Sequence, residues 1–197
     1  AKTDNEKAQT LNSFFQSIFT CEPEGELPPP PHFDLQDTLM DINITTKEVG
    51  RLLKGLKTNK AAGPDDIPPL LLAETAEQLA EPICTIFQKS LEEGRVPEDW
   101  KRAQVTPIFK KGSRQSPNNY RPVSLTCILC KVMETLIRGH VMKHLLRNNL
   151  ICQQQHGFKP GRSCITQLLD TLDCWTEILD QGGSIDAIYM DFRKAFN

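Results

Sequence analysis

Four cations crowd one short stretch of this chain. Lys110, Lys111, Arg114 and Arg121 lie around a turn in Val105–Thr126, VTPIFKKGSRQSPNNYRPVSLT. Downstream, Asp191 follows the apolar run Ile185–Met190 in IDAIYMDFRKAFN. Arg offers a planar fork and Lys a point charge, so Lys110 and Arg121 can clamp the phosphates of a nucleotide. An Asp at the C-terminal end of a strand can hold a divalent metal. The pair makes two halves of a nucleotidyl-transfer site. Each half also has a plainer reading by itself: strand-end Asp residues often cap turns, and hairpin cations are often only solvated.

Several elements must position these groups. Residues 1–44 read as a linker, with an amphipathic segment Ala8–Phe19 and the polyproline stretch Pro28–Pro31. Little before Thr45 is expected to pack firmly except Phe14, Phe15, Ile18 and Phe19. Thr45-x-x-Glu48 is a capping box opening a helix with Val49, Leu52, Leu53 and Leu56 on one face. A loop around Gly63-Pro64 precedes a helical stretch Leu70–Glu93, interrupted near Pro82 and stopped by Gly94. Val105–Phe109 is a strand, Gly112–Asn119 a turn, and Leu125–Leu146 the longest apolar-periodic helix. Gln155–Arg162 is a glycine-rich loop. Ser163 caps a helix whose stripe is Ile165, Leu168, Leu169, Leu172, Trp175 and Leu179. Ile185–Met190 is expected as a strand.

Charge is unevenly spread. The net charge of −2 conceals balances of −7 over residues 1–97, +7 over 98–149 and −2 over 150–197. A basic central block points to a polyanion, although a solvated helix face would look similar. Apolar residues at 39% and charged residues at 24% fit a soluble globular protein. No apolar run is long enough for a membrane span, and the opening AKTDNEKAQT does not read as a secretory leader. Seven scattered cysteines therefore read as reduced intracellular thiols. Cys127-x-x-Cys130 with His140 and His144 has zinc-like spacing, but one helix cannot fold back into a tetrahedron, so core packing is the better reading. Trp100 and Trp175 could stack on bases, but both are read as packing residues.

Five segments share order and residue types with one family: KAAGPDDI (60–67), VPEDWKRAQVTPIFKKGS (96–113), NYRPVSLT (119–126), QHGFKPGRS (155–163) and YMDFRKAFN (189–197). Together they resemble the reverse transcriptases of non-LTR retrotransposons. The opening TDNEKAQTLNSFFQSIFT is similar to the vertebrate chicken-repeat-like clade. The resemblance implies an α+β fold, a partial right-hand polymerase with helices on a small incomplete sheet. Residues 1–44 would be the linker, 45–101 a helical N-terminal extension, and 102–197 the fingers and beginning of the palm. It implies RNA-directed DNA synthesis with Mg2+, deoxynucleoside triphosphates, an RNA template and a DNA 3′-hydroxyl primer. A nuclear and cytoplasmic setting follows by the same analogy.

By the same resemblance, Asp191 is the first catalytic carboxylate and Phe192 lends a backbone carbonyl to the metal. Phe196 would exclude a 2′-hydroxyl, and Lys110 and Arg121 would grip the triphosphate. Gln155, Gly157, Phe158, Gly161, Arg162 and Ser163 would lie near the template. The family usually closes its motif Ala-Phe-Asp, where this chain has Ala195-Phe196-Asn197. Its second catalytic motif, aromatic-x-Asp-Asp, is expected beyond Asn197, so residues 1–197 alone are expected to be inactive. A remnant, or a domesticated nucleic-acid-binding module, is the alternative.

Overall fold

The computed structural model describes residues 3–19, 25, 29 and 38–191, and its contacts divide the chain into two units, Ala1–His144 and Leu145–Asn197. The polyproline stretch, Phe192 and Phe196 lie outside the described residues, apart from Pro29.

In the first unit, Thr3 caps α1 (Asp4–Ser17), its hydroxyl accepting from the Glu6 amide. The helix therefore starts four residues earlier than the apolar spacing alone indicates. Phe15 is buried, with Phe14 beside it at a ring-centroid distance of 5.9 Å. The Thr45–Glu48 capping box forms as expected and opens α2 (Thr46–Lys54). Pro69 sits at the first turn of α3 (Pro69–Glu74), where its missing N–H leaves no orphan.

The long helix α4 (Ala76–Glu93) differs from expectation. It runs through Pro82, and the break falls at Thr75 instead. Thr75 donates both its amide and its hydroxyl to the Leu71 carbonyl, closing α3 locally. Pro82 has no N–H to give Gln78, but it lies on the exposed side of α4, and the packing of the buried stripe Ala80, Ile83, Cys84 and Phe87 holds the helix through that single lost bond. Gly94, at φ 62°, closes α4 in the left-handed conformation that glycine adopts without strain.

A 3-10 turn at Glu98–Lys101 leads to an antiparallel ribbon of β1 (Gln104–Phe109) and β2 (Tyr120–Leu125). The register pairs Gln104 with Leu125 and Phe109 with Tyr120. Helix α5 (Ile128–Arg147) follows, starting later than expected because Leu125 belongs to β2.

One core joins these helices. Val49 and Leu53 of α2, Leu72 of α3, Ile83 and Phe87 of α4, and Val132, Met133 and Leu136 of α5 are buried together. Trp100 packs edge-on against Phe87 at 5.7 Å. Ile44 is fully buried as well, its carbonyl accepting from Gln88 Nε2 at 2.9 Å. Firm packing thus begins before Thr45, because an apolar side chain next to the α2 cap falls directly onto α4.

The second unit carries α6 (Cys164–Asp180), capped by Ser163 with Thr166. None of its residues is buried, and Ile165, Leu168, Leu169, Leu172 and Leu179 are all more than half exposed. Ile185–Met190 is not a strand. A strand needs a neighbour to take its backbone hydrogen bonds, and no described segment pairs with this one. Ile188, Tyr189 and Met190 stand open to solvent.

Candidate functional site

The ribbon explains how two distant cations share a face. Ile108 lies opposite Arg121, and side chains two apart on a strand point the same way. Lys110 therefore stands diagonally across from Arg121, on the face that also holds Thr106 and Val123. The Lys110 amide donates to the Asn119 carbonyl at 2.7 Å, extending the ladder past the strand ends. Both cations are exposed, and neither has an ion-pair partner among the described residues. Two unpaired cations on one open face suit a polyanionic ligand.

The opposite face is the structural one. Phe109 and Tyr120 meet edge-on at 5.5 Å, and the Arg114 guanidinium lies 5.1 Å over the Phe109 ring. The Tyr120 hydroxyl donates to the Arg114 carbonyl at 2.9 Å, and Asn119 Nδ2 donates to the Ser113 carbonyl at 2.8 Å. Gly112, at φ 88°, lies so close to Asn119 that an added Cβ would stand 2.8 Å from Nδ2. Helix α1 rests against the turn at Pro117–Asn119. Arg114 thus belongs to the turn's own scaffold, whereas Lys110 and Arg121 remain available.

The base of the ribbon is held by the KAAGPDDI segment. A Cβ on Gly63 would sit 2.6 Å from Cys127 Cα and 2.8 Å from the Thr126 carbonyl. Asp65 Oδ1 accepts from the Ile67 amide at 3.3 Å, and Asp66 takes a left-handed φ of 53°. Burial first, and then the Asp65 carboxylate, raises the Cys127 thiol above its ordinary pKa. Cys130 is pushed up to about 11, mainly by burial and then by Glu134. Both cysteines are therefore protonated packing groups at neutral pH, not nucleophiles.

The second unit holds the remaining candidates. Asp191 is exposed and lies outside any helix or strand. Among the described residues no group of three His, Cys, Asp or Glu side chains converges to hold a metal. Asp191 thus supplies a single carboxylate, and the described residues do not complete a magnesium site.

In the loop before α6, Gln155 Nε2 donates to the Gly157 carbonyl at 2.8 Å. Gly161, at φ 74°, and Phe158, at φ 60°, both turn left-handed, and the Phe158 ring is exposed. His156 carried no role in the sequence pattern, yet it is the buried centre of this loop. Its side chain is only 5% exposed. Nδ1 lies 3.2 Å from Thr166 Oγ1, and Nε2 lies 3.4 Å from both Arg162 Nη1 and Asp170 Oδ2. Arg162 Nη1 donates to Asp170 Oδ2 at 3.2 Å. Thr166 Oγ1 already donates to the Ser163 carbonyl at 2.8 Å, so it is placed to accept from Nδ1–H. Only its place in the motif, immediately before Gly157, could have marked it in the sequence. Trp175 also departs from expectation: it is half-exposed and lines a cavity of about 430 Å³ beside this network, outside any core.

Comparison with known proteins adds similarity in sequence to this geometry. Residues 108–197 match the family described as reverse transcriptase (RNA-dependent DNA polymerase). The whole chain is 25% identical to the probable RNA-directed DNA polymerase from transposon BS of Drosophila melanogaster, covering 22% of that protein. It is 27% identical to the corresponding X-element protein over 80% of this chain, and 27% identical to that of mobile element jockey over 78%, both from the same fly. The chain spans about a fifth of the length of these relatives. Residues 108–197 thus match a reverse transcriptase domain, and the chain is similar along most of its length to RNA-directed DNA polymerases of transposons.

Proposed function

We propose that this chain is the fingers-side portion of an RNA-directed DNA polymerase that copies retrotransposon RNA from a DNA 3′-hydroxyl. The observation that carries the reading is the open ribbon face, where Lys110 and Arg121 project together without partners. There they would hold the triphosphate of an incoming deoxynucleotide, Arg121 by its fork and Lys110 by its point charge. Asp191 would be one of the carboxylates that hold the magnesium ions. Those ions supply charge stabilisation at the transferred phosphoryl group when bound. Phe192 and Phe196, outside the described residues, would line the metal and the sugar. Gln155, Gly157, Phe158, Gly161 and Arg162 would face the RNA template.

In this reading residues 1–44 form a linker, 45–101 an N-terminal extension, and 102–197 the fingers and first part of the palm. The chicken-repeat-like clade is the finer assignment, inferred from the TDNEKAQTLNSFFQSIFT opening. The protein would work in the cytoplasm and nucleus. No helix among the described residues is long and apolar enough to cross a membrane.

One carboxylate cannot hold two metal ions, so residues 1–197 alone should show no primer extension. In the full-length polymerase, Asp191→Asn should lower extension by about a thousandfold, the equivalent of several kcal/mol of metal-borne stabilisation. RNA binding should be unchanged. Extension at the wild-type rate by that variant would overturn the assignment of Asp191. A binding module without catalysis is the second reading, favoured by the same unpaired cations. It expects steeply salt-dependent RNA affinity and no extension by the full-length protein.

A further inference from the structure

We infer that the cavity between the 153–162 loop and α6 receives a single nucleobase flipped out of an RNA strand, with Trp175 as its stacking surface. The inference rests on the template-facing reading of this loop and names the contact within it. Three observations define the ligand.

The first is size and shape. The cavity is about 430 Å³, within the range of pockets that take a small planar ligand. One wall is the half-exposed Trp175 indole, and an indole left beside polar groups is a natural partner for a base π-face.

The second is charge. Arg162 is the cavity's cation, and Asp170 already neutralises it at 3.2 Å. A phosphate would meet the Asp170 carboxylate as well, so the site favours a neutral ligand over an anion.

The third is the direction of the unused hydrogen bonds. A guanidinium has five N–H donors. Arg162 is held only through Nη1, which serves both His156 and Asp170. Its Nη2 and Nε groups have no partner among the described residues. Gln154 uses its carbonyl oxygen to accept from Cys152, leaving its amide nitrogen as a donor, and the Gln167 side chain is also uncommitted. Arg162 and Gln154 thus offer free donors beside the Gln and Asp170 oxygens of the lining, and a base edge that carries acceptors complements the arginine fork. Guanine, with O6 and N7, fits best, since paired acceptors on one edge match an arginine fork. His156, buried and bonded at both ring nitrogens, is a positioning residue that fixes the Arg162 guanidinium at the cavity mouth.

The test uses the full chain at submicromolar concentration in a Trp100→Phe background, so that indole emission reports Trp175 alone. Guanosine and a short G-containing single-stranded RNA are titrated, alongside an abasic ribose-phosphate strand of equal length and charge. Guanosine and the RNA are expected to quench the emission, and the RNA to bind about tenfold tighter than the abasic strand. By labelled-strand anisotropy, Trp175→Ala should abolish that preference while its far-UV circular dichroism is unchanged, and Trp175→Phe should retain most of it. RNA and abasic strands binding equally, with no response to guanosine, would overturn the base pocket and leave the template reading standing. Guanosine quenching without RNA binding would do the reverse. No binding of either would remove both.

Discussion

At the residue scale, the cations divide by what they touch. Arg114 stacks on Phe109 and carries the turn, while Lys110 and Arg121 face solvent on the other side of the ribbon. Lys110→Ala or Arg121→Ala in the full-length polymerase should raise KM for deoxynucleotides roughly ten- to a hundredfold, since a charge-assisted hydrogen bond contributes about 1.5–3 kcal/mol. The thermal midpoint should not move; a fall in stability with unchanged KM would make both residues scaffold. Gly63 predicts the opposite pattern. A methyl there would collide with the Cys127 and Thr126 backbone, which cannot retreat as a flexible side chain can. Gly63→Ala should cost about 1–3 kcal/mol in a urea titration of the protein. A neutral result would mean that this close approach is not needed for folding. In the sequence Gly63-Pro64 marks only a loop, whereas the property that matters is an absent side chain.

Among the elements, α2 makes the most direct pH test. The Thr45 hydroxyl, and then its backbone amide, holds the Glu48 carboxyl below its ordinary value. A carboxyl depressed in the folded state stabilises the fold above its unfolded pKa. That contribution fades as pH falls through the folded value. Stability should therefore decline below about pH 4.5, near the usual glutamate pKa, and Glu48→Gln should flatten that part of the profile. An identical decline in the variant would assign the effect to other carboxylates. The capping box was legible because its bonds are local and its residues lie three apart. The Lys-rich turn was legible for the same reason. Thr75 as the break in place of Pro82 was not, because the tertiary packing of the buried face of α4 outweighs one missing amide. Nor could periodicity show that Ile185–Met190 stays unpaired, since pairing depends on a partner far along a chain.

For the whole molecule, the contrast between the units decides behaviour. The first has a shared core of four helices, whereas α6 presents five large aliphatic side chains more than half exposed. A stripe of that kind drives association. Residues 1–197 should self-associate at micromolar concentration, and Leu168→Lys with Leu172→Lys should restore a monodisperse species in sedimentation without lowering the melting midpoint. A monodisperse parent chain would refute this. The resemblance in five motifs pointed to the family that residues 108–197 match, but the exposed state of α6 could not be read from its amphipathic pattern, which describes a face and not what covers it.

The ribbon adds a last point. Pro107 lies directly opposite Pro122. The Lys110–Asn119 bond sets the alternation, so this pair falls where the strands do not bond each other and its amides would point outward. Both outer edges are thus missing a donor at mid-length, where a third strand would need one. Each edge is therefore a poorer template for a third strand. A polyanion on the Lys110–Arg121 face meets side chains, so its selectivity can be retuned one residue at a time without disturbing the scaffold beneath.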